Sequence, residues 1–419
     1  MPEVPDTARR SPGAAPSLPY CSALSHLQEW IERHDYAGFE PYDLLNSPFL
    51  QSRWARKRLV APFIIQAGRR FGGLRRWLRV PPSRNPKTLA LCLLAYCDLQ
   101  RQGEDCFEPA QSVKNWLIRL KSPAQESFSW GYDWDFVSLR GTALQKFRPN
   151  CIATYFCANA LLEMAEVFGD TEAHALAQSA GNFLARGLNR SVNTADHICF
   201  SYTQTDRTQI FNSSALAGAL LARLATGVQK PEYLSLASRS LRYLADQQRG
   251  DGSWTYGAGP MQKWNDGFHT GYNLCALLEY RAATGDTSFD QHLDRGYTFY
   301  KRSFFRQDGA PKYLHNRLYP IDIHSCSQAI LTFCAFHNGD SQALKLAQRT
   351  ADWTIANMQS PEGTFFYQRR RVRTDRTPYM RWGQAWMFRA LARLQATLVL
   401  EGGDGKNRPK LSVSPDGRH

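Results

Sequence analysis

Apolar residues recur at helical spacing in paired segments along the chain, and a short polar break separates the two members of each pair. A glycine stands in these breaks, where it can end the first helix in a left-handed conformation, and the Asp, Thr or Ser that follows it in most breaks can cap the second helix. These glycines, Gly103, Gly169, Gly227, Gly285 and Gly339, recur at nearly regular intervals. The spacing predicts a repeated helical hairpin. The five predicted hairpins cover approximately residues 85–121, 149–187, 210–249, 267–304 and 323–358.

A second recurring element follows the outer helix of three hairpins. Each copy combines a glutamine, a glycine and an aromatic residue, at 248–254, 307–313 and 359–365, and leads through a polar, aromatic loop into the next apolar helix. The last long helix, at 380–400, lacks a following partner. A helix within 22–33 or within 51–78 could close a ring with it.

The inner helices, such as Ile152 to Leu162, are apolar on nearly all sides, as expected for helices enclosed by neighbours. An open solenoid usually has a shorter repeat and polar units at both ends. We therefore expect an all-α fold, a closed toroid of six helical hairpins that forms a single domain over residues 21–400.

The composition predicts a soluble protein without a membrane span, because no stretch of about 18 uncharged apolar residues occurs. Residues 1–20 lack the apolar region of a secretory signal and are expected to form a disordered leader, with a disordered tail at 401–419. The ten cysteines are scattered without a CxxC pair, which favours reduced thiols and the cytoplasm over a disulfide framework. The sequence shows no cluster of residues that could bind zinc. We therefore expect neither a metal nor another cofactor.

A net charge of +14 favours an anionic partner. The candidates are an acidic glycan, a nucleotide or lipid phosphate, and peripheral contact with an anionic membrane. No nucleic-acid-binding motif accompanies the charge, so nucleic acid is not favoured.

These features resemble the six-hairpin, or (α/α)6, toroid superfamily, which includes glycoside hydrolases, polysaccharide lyases, sugar epimerases and the related terpene cyclase and prenyltransferase toroids. The Gln-x-x-x-Gly-x-Trp element at 248–254 matches the repeat signature of terpene cyclases, in which it is structural. The acidic Asp-x-Asp-Asp type motif of protonating cyclases is missing, so this likeness implies architecture and not cyclase chemistry.

Three strings are similar to a poorly characterised bacterial and archaeal family associated with surface-polysaccharide biosynthesis. They are Trp130 to Asp135, Asp266 to Asn273 and Pro378 to Trp386, and the likeness extends over most of residues 40–400. The resemblance implies glycan metabolism without naming a reaction.

Polar residues at equivalent places in the repeat suggest where a site would form. Asn212, His269 and His324 precede the glycines of their hairpins by nearly the same interval, which places each of them at the start of an inner helix. In a closed ring these positions converge on one mouth, where helix N-termini favour anionic groups.

Carboxylates accompany both histidines. Asp266 precedes His269 by three residues and Asp322 precedes His324 by two, which could form a base with its orienting partner, an acid and base pair, or simple helix N-caps. Asp133, in an aromatic loop, is the further carboxylate candidate, because glycoside hydrolysis uses two acids in different environments.

Aromatic and basic residues in the same loops are candidates for substrate binding. Sugar rings stack on aromatic side chains, and guanidinium groups bind carboxylates or phosphates, although packing of loops and solvation of charges would produce similar patterns. The candidates are Arg148, Asn150, Asn212, Trp254, Tyr256, Trp264, Tyr272, Tyr313, Arg381 and Trp382.

The leading hypothesis is an enzyme that acts on an acidic glycan or activated sugar, such as a sugar phosphate, by β-elimination, epimerisation or hydrolysis, with His269 and His324 as proton-transfer groups. The alternatives are a glycan-binding or assembly factor without catalysis, and an isoprenoid-binding toroid. Removal of a proton next to a carboxylate fits a basic rim better than plain hydrolysis does.

Overall fold

The computed structural model describes residues 20–402, except residues 53, 58, 138–142 and 227–229. The predicted leader, apart from Tyr20, and the predicted tail, apart from Glu401 and Gly402, lie outside the described residues.

Twelve helices form six antiparallel hairpins, and the helix bounds follow the predicted ones closely. Five hairpins pair an inner helix with the outer helix that follows it, and the sixth pairs the last helix with the first. The pairs are α4 (Pro86–Gln100) with α5 (Phe107–Arg119), α6 (Cys151–Phe168) with α7 (Thr171–Asn182), α8 (Phe211–Ala225) with α9 (Pro231–Asp246), α10 (Gly267–Thr284) with α11 (Asp290–Phe304), α12 (Ile323–Phe336) with α13 (Ala343–Met358), and α14 (Trp386–Gly402) with α1 (Cys21–Arg33).

The inner helices form a closed ring, as predicted. Each packs against the next, and α14 packs against α4, which completes the circle. Helix α6 is long and apolar enough, by length and composition, to cross a membrane, but it is mostly buried as a member of this inner ring. Because α6 is enclosed by its neighbours, its sequence is apolar on nearly all sides.

The helix that closes the ring is α1 at 21–33, so the first of the two predicted closing segments is confirmed. The recurring glutamine element holds the closure, because Gln359 Nε2 donates to the carbonyl oxygens of Gly363 and of Ala23 in α1. Gln248 makes the same contacts to Gly252 and to His292 of α11.

Residues 43–79 form a separate cover beside the ring. It contains 3-10 turns at Asp43–Asn46 and Pro48–Leu50, and helices α2 (Ala61–Arg70) and α3 (Leu74–Trp77). The buried Arg75 guanidinium fastens it by donating to Asp43 Oδ1 at 2.7 Å and to the Glu40 carbonyl at 2.6 Å.

The loops between the helices contain short antiparallel β-strands. They form two-stranded sheets, β1 with β2, β3 with β4 and β5 with β6, and one three-stranded sheet in the order β7-β8-β9. Their bounds are Ala37–Gly38, Ser83–Arg84, Phe136–Val137, Ala143–Leu144, Arg190–Asn193, Ile198–Phe200, Ile321–Asp322, Gln368–Arg369 and Thr374–Asp375.

Three of the predicted glycine caps are confirmed and one is wrong. Gly103 has a φ of 95° in the turn that ends α4. Gly169 and Gly285 are left-handed, with φ of 68° and 72°, directly after α6 and α10. Helix α12 instead ends at Phe336, before His337 in a right-handed conformation, so Gly339 lies beyond the cap and needs no positive φ. Gly227 lies outside the described residues.

Candidate active site

A cavity of about 1090 Å³ opens at the end of the ring where the inner helices begin. All six inner helices contribute to its wall from their first turns or the turn just before. These residues are Lys87, Ile152, Asn212, His269, His324 and Arg381. The wall is completed by Tyr256 and Trp264 from the loop before α10 and by Ile65 and Arg69 from α2.

His269 is bonded to a carboxylate at this wall. Its Nδ1 lies 2.7 Å from Asp266 Oδ2, which also accepts from Trp264 Nε1 at 2.9 Å. Asp266 Oδ1 accepts from the His269 backbone NH, so this residue both caps α10 and holds the imidazole. Because a carboxylate only accepts, His269 Nδ1 carries a proton, and in the neutral ring the free lone pair is therefore on Nε2. No described residue bonds His269 Nε2, and 20% of the side chain is exposed.

His324 lies deeper, in an aromatic cage. Its Nε2 is 2.6 Å from the Tyr272 hydroxyl, and its Nδ1 is buried without a partner among the described residues. Phe268 contacts both histidines, with ring centroids 4.1 Å from His269 and 4.4 Å from His324. Burial, with the positive charges of Lys87 and Arg381, lowers the pKa of His324 well below its usual range, so its ring is neutral at neutral pH.

Arg381 and Lys87 make the floor of the cavity basic. Arg381 Nη2 is 3.0 Å from the buried Glu40 carboxylate, and its guanidinium lies 4.9 Å from the Trp134 ring centroid. Lys87 Nζ lies 3.9 Å from the Phe156 ring centroid and forms no ion pair within the described part of the chain. Burial, and then Arg381, lower the pKa of Lys87 well below its usual range. Burial raises the pKa of Glu40 to about 8 although Arg381 acts in the opposite direction.

Aromatic rings form the rest of the wall. Tyr256 stacks on Trp264 at 4.5 Å, and Tyr132 stacks on Trp134 at 4.6 Å. Tyr313 stacks on Phe268 at 5.8 Å. Flat apolar faces beside charged groups suit a sugar ring, which has apolar CH faces and a polar edge.

No family model and no curated protein matches the sequence, whereas the fold is shared with many solved structures. A cellobiose 2-epimerase from Bacillus thermoamylovorans has 12% identity, a TM-score of 0.62, and a match over 91% of this chain and 99% of its own. A GH76 α-mannanase from Bacteroides thetaiotaomicron has 12% identity and a TM-score of 0.57, with 75% and 87% covered. A D-mannose isomerase has 11% identity and a TM-score of 0.57, with 75% and 86% covered. This chain is an (α/α)6 toroid.

The toroid brings most of the predicted residues to the cavity. The predicted residues that line it are His269, His324, Asn212, Tyr256, Trp264, Tyr272, Tyr313, Arg381 and Trp382. Asp266 does not line the cavity but acts on it through His269.

The structure does not bring the other candidates to the cavity wall. Asp133 is fully buried and accepts from Ser83 Oγ and from Asn85 Nδ2, where it supports the N-cap of α4. Asn150 caps α6 by accepting from the Ala153 NH at 2.8 Å. Arg148 is exposed and binds Gln145.

Asp322 and Trp254 also have structural contacts. Asp322 caps α12 and accepts from Gln368 Nε2 at 2.6 Å and from Trp382 Nε1 at 2.9 Å, and it makes no bond to the His324 ring. Trp254 is buried and donates to the Leu244 carbonyl at 2.9 Å.

The site residues predicted from the sequence do not include three charged residues of this region, Lys87, Glu40 and Arg69. The repeat contained a signal for Lys87, which precedes Gly103 by the same interval as His269 precedes Gly285. No repeat signal marks Glu40 or Arg69, because both belong to the region before the first hairpin.

No group of three or more His, Cys, Asp or Glu side chains that could hold a metal ion occurs among the described residues.

Proposed function

We propose that this toroid is a carbohydrate-active enzyme that removes a proton from a carbon atom of an anionic sugar, as an epimerase, isomerase or lyase does. The observation that carries the proposal is the His269–Asp266 pair at the cavity wall. A neutral imidazole held in one tautomer by a carboxylate is a general base whose free nitrogen points away from its partner.

A second group can return the proton. His324 and the Tyr272 hydroxyl form a bonded pair on the neighbouring part of the wall, and Phe268 contacts the rings of both histidines. Epimerisation requires that a proton leaves one face of a carbon and arrives at the other. Two separate acid-base groups within one cavity support such a two-step proton transfer.

The charge of the wall favours an anionic substrate. Arg69 and Arg381 line the cavity, and a proton next to a carboxylate becomes easier to remove when such cations stabilise the negative charge that develops. The orphaned Nδ1 of His324 and Oδ1 of Asn212 are further polar atoms that a bound sugar could satisfy.

The residues that line the cavity support glycoside hydrolysis less well than proton transfer. Glycoside hydrolysis commonly uses two carboxyl groups that flank the scissile bond. Among the described lining residues the carboxylate is Asp206, and both of its oxygens accept bonds from Thr203 or Thr208. The proposal therefore places proton transfer ahead of hydrolysis.

The names of proteins with the same fold support a sugar substrate, because they include epimerases, an isomerase and a mannanase. All ten cysteines are free, which supports a reducing compartment and hence the cytoplasm.

The proposal is tested by incubating the protein with uronate-containing glycans and sugar phosphates in deuterated water. Proton exchange is followed by NMR, unsaturated uronates by ultraviolet absorbance, and new reducing ends by a chemical assay. Exchange without cleavage identifies an epimerase or isomerase, and new absorbance identifies a lyase.

The matched variants are His269→Gln and His174→Gln, since His174 is exposed on outer helix α7. We expect His269→Gln to slow exchange or elimination by about a hundredfold or more and His174→Gln to leave it unchanged. New reducing ends without exchange or unsaturation, or full activity of His269→Gln, would refute the proposal.

A further inference from the structure

Exposed apolar side chains concentrate in one segment beside the cavity mouth, residues 49–79, called here the rim segment. Six of the eleven large hydrophobic side chains that are exposed in the described part of the chain lie in it, with Trp77 84% and Leu59 78% exposed. The six are Phe49, Trp54, Leu59, Phe63, Phe71 and Trp77. Scattered exposed apolar residues are ordinary, but such a concentration marks an interaction surface.

The rim segment is also strongly basic. It contains nine Lys or Arg residues and neither Asp nor Glu. Arg75 is buried against Asp43 and Arg56 pairs with Asp135, whereas four exposed cations have no ion-pair partner among the described residues. These four are Lys57, Arg70, Arg76 and Arg79.

A neighbouring loop extends the same surface. Arg373 Nη2 donates to the Arg70 carbonyl at 3.0 Å, which places residues 371–373 beside α2. Val372 in that loop is 92% exposed, and Arg371 is exposed as well. Cations and an apolar side chain thus continue past the end of the rim segment.

Helix α2 shows that this exposure belongs to a built surface. One side buries Ile65 in a small core with Leu45 and Ala61, and Ile65 and Arg69 line the cavity. Phe63 and Arg70, seven residues apart and hence on one side of a helix, are exposed. The segment therefore has one face toward the cavity and another toward solvent.

The composition of the exposed face indicates what kind of partner it would bind. The exposed face combines Trp, Phe and Leu with Lys and Arg and has no acidic residue. This composition is typical of elements that lie in the interface of anionic bilayers. A second copy of this positively charged surface would be repelled. We infer that the rim segment docks on an anionic lipid bilayer and holds the cavity mouth against the lipid headgroups.

Docking is independent of the reaction proposed above, and a test by vesicle flotation needs no substrate. Full-length protein is mixed with phosphatidylcholine vesicles with or without phosphatidylglycerol. We expect flotation with the phosphatidylglycerol vesicles and little with phosphatidylcholine alone, and binding should weaken as salt is raised. Tryptophan fluorescence should shift to shorter wavelength on binding because Trp54 and Trp77 enter the interface.

Two sets of variants separate the apolar and charged contributions. Replacing Trp54, Phe63 and Trp77 together by Ser should weaken vesicle binding at least about tenfold. Replacing Arg70, Arg76 and Arg79 together by Gln should weaken it roughly a hundredfold. Since all six side chains are exposed, the melting temperature should stay close to that of the parent protein.

Matched control variants change the same residue types elsewhere. Phe107→Ser with Leu234→Ser removes exposed apolar side chains, and Arg119→Gln with Arg242→Gln and Arg249→Gln removes exposed arginines on other helices or loops. These controls should bind like the parent. The inference is overturned if the parent does not float, if controls and rim variants lose binding equally, or if sedimentation shows a dimer that the Phe63→Ser change dissociates.

Discussion

At the scale of single residues, the Tyr272 hydroxyl is the one hydrogen-bond partner of the buried His324 ring among the described residues. Tyr272→Phe removes it and leaves both ring nitrogens without a partner in the described protein. An unsatisfied buried polar group costs about 1–3 kcal/mol, so we expect the free energy of unfolding to fall by that amount. Urea denaturation of the folded variant measures it.

Tyr313→Phe is the matched control for that change. Tyr313 lines the same cavity and stacks on Phe268, but its hydroxyl has no hydrogen bond among the described residues. We expect it to change stability by less than about 0.5 kcal/mol. Equal losses in the two variants would show that packing, and not the bond to His324, determines the cost.

Residue identity alone could not separate the two Asp-His pairs. Both aspartates are helix N-caps, as one interpretation of the sequence predicted. Asp266 also bonds the ring of His269, whereas the oxygens of Asp322 are occupied by Gln368 and Trp382, which are more than forty residues away in sequence. Tertiary contacts of this kind leave no local pattern.

At the scale of helices, the starts of α6 and α8 contain asparagines with different environments. Asn150 caps α6 by accepting from the Ala153 NH, whereas Asn212 Oδ1 is buried without a partner among the described residues and Asn212 lines the cavity. Asn150→Ala should therefore lower the free energy of unfolding by about 1–2 kcal/mol and leave ligand binding unchanged. Asn212→Ala should weaken ligand binding with a stability change under about 0.5 kcal/mol.

Thermal and urea denaturation of both variants tests this contrast, with Asn150→Ser as the control because a serine oxygen can also cap a helix. A loss of ligand binding in Asn150→Ala at full stability would instead support the predicted substrate contact of Asn150.

Hairpin bounds were the most predictable feature of the helices. The predicted segments 267–304 and 323–358 coincide with the outer limits of α10–α11 and α12–α13, because polar breaks and apolar periodicity are local signals. The cover formed by residues 43–79 was not predicted, since its course depends on the buried Arg75 and its contacts with Asp43 and Glu40.

At the scale of the whole molecule, the two ends of the ring differ in their electrostatics. The cavity end has cations with few carboxylates, whereas the opposite end has an ion network across α4, α6, α8 and α14. Its members are Asp98, Arg101, Glu163, Arg223, Arg389 and Arg393. This network ties together four of the six inner helices.

Glu163 is central to that network, and Glu163→Gln tests its contribution. Its carboxylate lies 2.5 Å from Arg101 and 3.0 Å from Arg223. Burial alone would raise the pKa of Glu163, but these guanidinium groups outweigh it and lower the pKa to about 2. A folded pKa below the unfolded value stabilises the fold at neutral pH, by about 3 kcal/mol here, and this contribution disappears as the pH falls from about 4.5 toward 2.

We therefore expect Glu163→Gln to unfold at lower urea concentration than the parent at pH 7, with the difference shrinking as the pH is lowered through that range. Glu166→Gln is the matched control, because Glu166 lies on the same helix and contacts the same Arg223 at 2.9 Å but is half exposed. Solvent screens such a pair, so its loss should cost less than about 1 kcal/mol. Equal effects of the two changes, or a Glu163→Gln effect that is constant with pH, would mean that helix packing alone holds this end of the ring.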